Sequence, residues 1–121
     1  MLTHDEKNVS ERLEHWRSRV ERVRQMFKQG GGLHEDPETV RSAYASLKQD
    51  LKDESRSLKY RRGDPLPTEA EQRWYDRPIQ HASAHLIAST NARLTNIRVS
   101  VSEAHSDIVL GINRLKQQER E

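Results

Sequence analysis

The chain has 121 residues, 21 of them basic and 19 acidic, with six histidines and no cysteine. Leu, Ile, Val and Phe together number 24, enough to cover one narrow core such as a thin helical bundle but too few for a two-layer α/β domain. The missing cysteines exclude a disulfide framework, a thiolate metal site and a cysteine nucleophile, and the near-balanced charge removes the usual driving force for disorder.

The first element opens on Thr3 and Glu6, spaced as a capping box, in which hydroxyl and carboxylate satisfy each other's backbone N–H. Val9, Leu13, Trp16, Val20, Val23 and Phe27 then follow at alternating steps of four and three. That rhythm places all six on one stripe of a helix and predicts a helix over 3–29, ended by Gly30-Gly31-Gly32. A second helix, over 36–62, is announced by Asp36-Pro37-Glu38, a capping carboxylate ahead of a proline at the first helical position. Val40, Tyr44, Leu47, Leu51, Glu54 and Leu58 repeat the four-three rhythm, with Glu54 as the one polar member, a residue that fixes register or sits at an edge. Lys59, Arg61 and Arg62 stand where a helix C-terminus favours cations, before the break at Gly63-Asp64-Pro65-Leu66-Pro67.

A second capping box, Thr68 and Glu71, predicts a short helix over 69–76. Pro78 then belongs in the first turn of a new helix over 77–118. Its seam runs through Leu86, Thr90, Leu94, Ile97, Val101, Ala104, Ile108, Ile112 and Leu115, while Ile87, Val99, Val109 and Leu110 fall on other faces. At 1.5 Å per residue this helix would reach ~63 Å against ~39 Å for each of the first two, leaving ~20 Å of apolar surface bare. Two outcomes resolve the mismatch. The helix breaks near Ser89-Thr90-Asn91, giving four helices in one bundle, or it continues and pairs with a second copy. The extra apolar faces favour the second. The expected fold is therefore all-α, a helical hairpin plus one long C-terminal helix packed in coiled-coil manner and completed as a homodimer. Self-association is assigned to Leu86, Leu94, Ile97, Val101, Ile108 and Ile112.

Motifs that carry chemistry are few. His81 and His85 stand one helical turn apart, the spacing of two imidazoles on one metal ion, but Ala82 replaces the glutamate of helical zinc peptidases and no third ligand is indicated. They are the only metal candidates, and no cofactor is expected. The stretch Ser83-Ala84-His85-Leu86-Ile87-Ala88-Ser89 loosely resembles the phosphoacceptor helix of histidine phosphotransfer domains. That resemblance implies an exposed His85 accepting a phosphoryl group. It covers about seven residues and lacks the lysine and glycine expected just after the histidine, so no family is assigned on it.

Arg56, Lys59, Arg61 and Arg62 form a basic cluster around Tyr60 and are the residues a nucleic-acid-associated subunit would use on phosphates. Residues 1–29 and 36–62 each carry +2 and residues 68–121 are neutral, less bias than a nucleic-acid binder shows, so nucleic acid is an alternative partner and not the favoured one. Trp74 and Tyr75 either cap the end of the bundle or anchor a partner. With no Gly-rich phosphate loop and no catalytic dyad in sight, the expected function is non-enzymatic: a small adaptor, inhibitor or assembly subunit that binds protein. No apolar run approaches the ~18 residues of a membrane span and the start is polar, so a cytoplasmic location and no membrane partner are expected.

Overall fold

The computed structural model describes residues 4–59 and 75–120. Among these the protein is all-helical, with α1 at His4–Arg24, α2 at Pro37–Lys59, α3 at Arg77–His85 and α4 at Leu94–Arg120. The capping pairs Thr3/Glu6 and Thr68/Glu71, the Gly63–Pro67 break and most of the expected 69–76 helix lie outside the described residues.

Both seams of the first two helices are buried. Val9, Leu13, Trp16, Val20 and Val23 of α1 meet Tyr44, Leu47, Leu51 and Leu58 of α2 in one core, and Val40 is buried as well. The two helices run antiparallel, as the ion pairs Arg12–Glu54 (3.2 Å) and Arg19–Asp50 (2.6 Å) show. Asp36 caps α2 as its sequence context requires, with Oδ1 accepting the Thr39 N–H at 2.7 Å and Pro37 following it. The carboxyl is held below its ordinary range by that bond.

α1 stops short of the expected residue 29. The chain leaves the helix after Arg24 and folds into a tight turn, in which Phe27 pairs with Leu33 and the His34 N–H reaches Met26 O at 2.8 Å. Gly30, Gly31 and Gly32 hold φ of 86°, 104° and 89°, a run of left-handed conformations that side chains with a Cβ resist. The link is thus a defined turn and not a loose tether.

The largest correction concerns residues 77–118, which do not form one helix. α3 ends at His85, α4 starts at Leu94, and residues 86–93 turn the chain back on itself. Pro78 lies against Gly111 and His85 against Asp107, so α3 runs antiparallel along α4. α4 packs on α3 and α1, and α2 closes the bundle against both α1 and α3. Leu86, Ile97, Val101, Ile108 and Ile112 are buried in this core and Leu94 packs against it half-buried. The seam residues to which self-association was assigned are covered by the chain's own α1, α2 and α3.

The break has an identifiable cause. Ending a helix frees backbone carbonyls, and these must find donors. α2 supplies them from one stripe: Arg41 Nη1 donates to Thr90 O (2.9 Å) and Ala92 O (2.6 Å), while Tyr44 Oη (2.7 Å) and Lys48 Nζ (3.0 Å) both donate to Ala88 O. Ser100, itself buried, accepts the Ala88 N–H at 3.3 Å. The Ser89-Thr90-Asn91 run offers weak helix formers at the same point.

Candidate interaction surface

With 97, 101, 104, 108, 112 and 115 turned inward, α4 presents its opposite face to solvent. The large apolar side chains left exposed among the described residues are Ile87 (77%), Val99 (50%) and Leu110 (50%), and all three belong to α4 or the link before it.

Three shallow depressions run along this side and share walls. The first, about 440 Å³, is bounded by Ile87, Ala88, Asn96, Val99 and Glu103. The second, about 480 Å³, takes Val99 and Glu103 as its shared rim and adds His85, Arg98, Ser102, Ser106 and Asp107. The third, about 100 Å³, shares Asp107 and continues past His81, Leu110, Gly111 and Arg114. Adjoining depressions share lining residues from Ile87 to Leu110, with aliphatic, small hydroxyl and charged side chains of both signs among them.

His85 closes α3 and its Nδ1 is hydrogen-bonded to Asp107 of α4. That bond raises the imidazole pKa above its ordinary value, with smaller help from the charges of Asp107 and Glu103. His81 sits one turn earlier on the wall of the third depression. Among the described residues no three His, Asp or Glu side chains converge to hold a metal ion.

A second polar cluster lies between α1, α2 and Tyr75. Tyr75 Oη donates to Glu54 and accepts the Trp16 Nε1–H at 3.2 Å, and the Arg12 guanidinium lies 3.7 Å from the ring centroid while also donating to Glu54 at 3.2 Å. Burial, then the neighbouring carboxylate, pushes the phenol well above its ordinary value. These groups satisfy one another across 21 to 63 residues of sequence, and so they fasten the end of the bundle. The seam position of Glu54 is explained: its carboxylate receives a buried hydroxyl and a guanidinium.

The residues singled out in the sequence therefore separate. Tyr75 is buried at 1% exposure and is a core residue, not a presented anchor. Arg56 is exposed near the end of α2. Trp74, Arg61, Arg62 and the side chain of Lys59 lie outside the described residues. Leu86, Leu94, Ile97, Val101, Ile108 and Ile112 face inward or pack at the core's edge, whereas the residues left outside, Ile87, Val99 and Leu110, are three of the four that fell off the seam. That departure was the signal in the sequence. No protein-family model, curated protein or solved structure matches this chain.

Proposed function

We propose that this chain is a non-enzymatic protein-interaction module, acting as an adaptor, inhibitor or assembly subunit, whose binding face is the outer side of α4 with the 86–93 link. One observation carries the reading. A chain with so few aliphatic residues leaves three large ones in water on a single side, along connected depressions, while burying its seams elsewhere. The rim supplies Arg98, Glu103, Asp107 and Arg114, the mixture of charge that surrounds the apolar centre of a transient protein interface. No helix among the described residues is long and apolar enough to cross a membrane, and the cysteine-free composition suits a reducing cytoplasm, where we place its action.

The test compares the wild-type chain with Ile87→Ser/Val99→Asp and with Arg56→Glu as a control on the far end of α2. A protein that co-purifies from cells at fixed stoichiometry is expected to be lost with the first variant and kept with the second, at unchanged far-UV circular dichroism. Retention of binding by Ile87→Ser/Val99→Asp refutes the assignment of this face.

A further inference from the structure

We infer that the partner seated on this face is a second copy of the same chain, with the two α4 helices side by side and parallel. The inference rests on the preceding reading and specifies its occupant.

The face has a regular register. Thr95, Val99, Ser102, Ser106, Val109 and Asn113 follow one another at steps of four and three along α4, on the side opposite the core. This is a second heptad seam on the same helix, with Val99, Ser106 and Asn113 at its a positions and Thr95, Ser102 and Val109 at its d positions. Asn113 is exposed in this chain. An Asn at a single a position is the device that holds a helix pair in one register and in two-stranded form, because each amide finds its partner only across a parallel seam. The hydroxyl-bearing Ser102 and Ser106 are small enough to let two backbones approach closely around Val99.

Charge gives the orientation. Arg98 occupies the g position on one flank of the seam and Glu103 the following e position on the other. Neither has an ion-pair partner within 4 Å among the described residues, although the ion pairs Arg12–Glu54, Arg17–Glu14, Arg19–Asp50 and Arg24–Glu21 are formed elsewhere. In a parallel pair, a g residue faces the e residue five positions later on its neighbour, so Arg98 of each copy meets Glu103 of the other, twice by symmetry. In an antiparallel pair the same flanks face themselves, so Arg98 meets a g residue, Arg98 or His105, and Glu103 meets an e residue, Glu103 or Leu110. Ile87, beside Val99, extends the apolar strip beyond the helix start.

The seam is short and four of its six residues are polar, so the dimer is expected to be weak and its mass concentration-dependent. Sedimentation equilibrium on the full chain at about 100 µM, where even a micromolar dimer is populated, should give a mass approaching twice 14.1 kDa. Val99→Asp should return it to the single-chain mass without changing the thermal melt, since Val99 is half exposed. Arg98→Glu should weaken association at least tenfold, and Arg98→Glu/Glu103→Arg should restore it. Because the chain has no cysteine, Ser102→Cys is a clean probe: parallel d positions face each other, and mild oxidation should yield a disulfide-linked dimer in the folded state.

A wild-type chain that stays single at that concentration, a dimer indifferent to Val99→Asp, or a charge swap that fails to rescue overturns the inference. A single chain that still captures another protein through Ile87 and Val99 overturns self-pairing alone and leaves the interaction module standing. A dimer through this face in the absence of any other partner supports it.

Discussion

Gly111 is the position at which local preference and tertiary packing oppose each other most directly. It lies inside α4, where replacing glycine by alanine ordinarily adds about 1 kcal/mol of helix stability. A Cβ built there falls 2.5 Å from Pro78 Cγ and 2.9 Å from Pro78 Cβ, with Leu13 Cδ1 at 3.8 Å. Carbon atoms rest at about 3.5–4.0 Å, so α3 must move away by about 1 Å. The pyrrolidine ring cannot swing aside as a flexible side chain would. Overpacking a close crossing costs about 1–3 kcal/mol, and the rigid Pro78 ring puts this one near the top of that range. Gly111→Ala should therefore lose about 2 kcal/mol net, a fall of about 8 °C in Tm for a domain of this size.

Guanidinium unfolding followed by far-UV circular dichroism measures the loss as a lowered midpoint at unchanged m-value. Pro78→Gly gives the control, because it removes both ring contacts. In that background Gly111→Ala should become neutral or stabilising, and the double-mutant cycle should return a coupling of about 2–3 kcal/mol. If Gly111→Ala raises the midpoint in the wild-type background, the close crossing of α3 and α4 is refuted, and with it the path by which the chain doubles back.

Other substitutions probe the remaining features. Arg41→Met withdraws the donor shared by Thr90 O and Ala92 O and should cost about 1–3 kcal/mol, with hydrogen exchange accelerating first at 86–93; protection unchanged there would show that α2 does not hold the break. Tyr75→Phe leaves Trp16 Nε1 without its acceptor and takes a donor from Glu54, for a loss of about 1–3 kcal/mol by thermal melting. Ile108→Ala opens a void at a fully buried site and should cost about 2–5 kcal/mol in the same assay. His105 stands 2.8 Å from Glu21, yet burial, with Arg24 and Arg17 nearby, outweighs that carboxylate and holds its pKa below the ordinary value. Its folded pKa being the lower one, the unfolded chain takes up the proton first, so the His105 contribution to stability should fall as pH drops through and below about 6.5, opposite in sign to that of His85. His105→Gln should flatten that acid-side slope, and an unaltered slope would assign it to other groups.

How far the fold was legible in the sequence depended on the distance over which its causes act. The α1 and α2 seams, the Asp36 cap and the place of Pro78 were readable because each is a local matter: a residue every three or four positions, or a side chain bonding its own next turn. The all-helical class followed from those alone. The end of α1 at Arg24 was less legible, since Phe27 continues the stripe and leaves it only to meet Leu33 across three glycines.

Tertiary structure decided the course of residues 77–118. Helical periodicity runs through 86–93 without a fault that sequence alone must honour, and a continuous helix would keep every backbone bond local. It breaks because Arg41, Tyr44 and Lys48, some forty to fifty residues away, replace the lost partners of Ala88, Thr90 and Ala92, and because doubling back buries the seam in the same chain. Which apolar residues remain for a partner was settled by the same event. Leu86, Ile97 and Ile108 went inside, and Ile87, Val99 and Leu110, which follow no core-facing stripe, stayed in water. A pattern of spacing states which residues share a face; only the packed chain states which face is already taken.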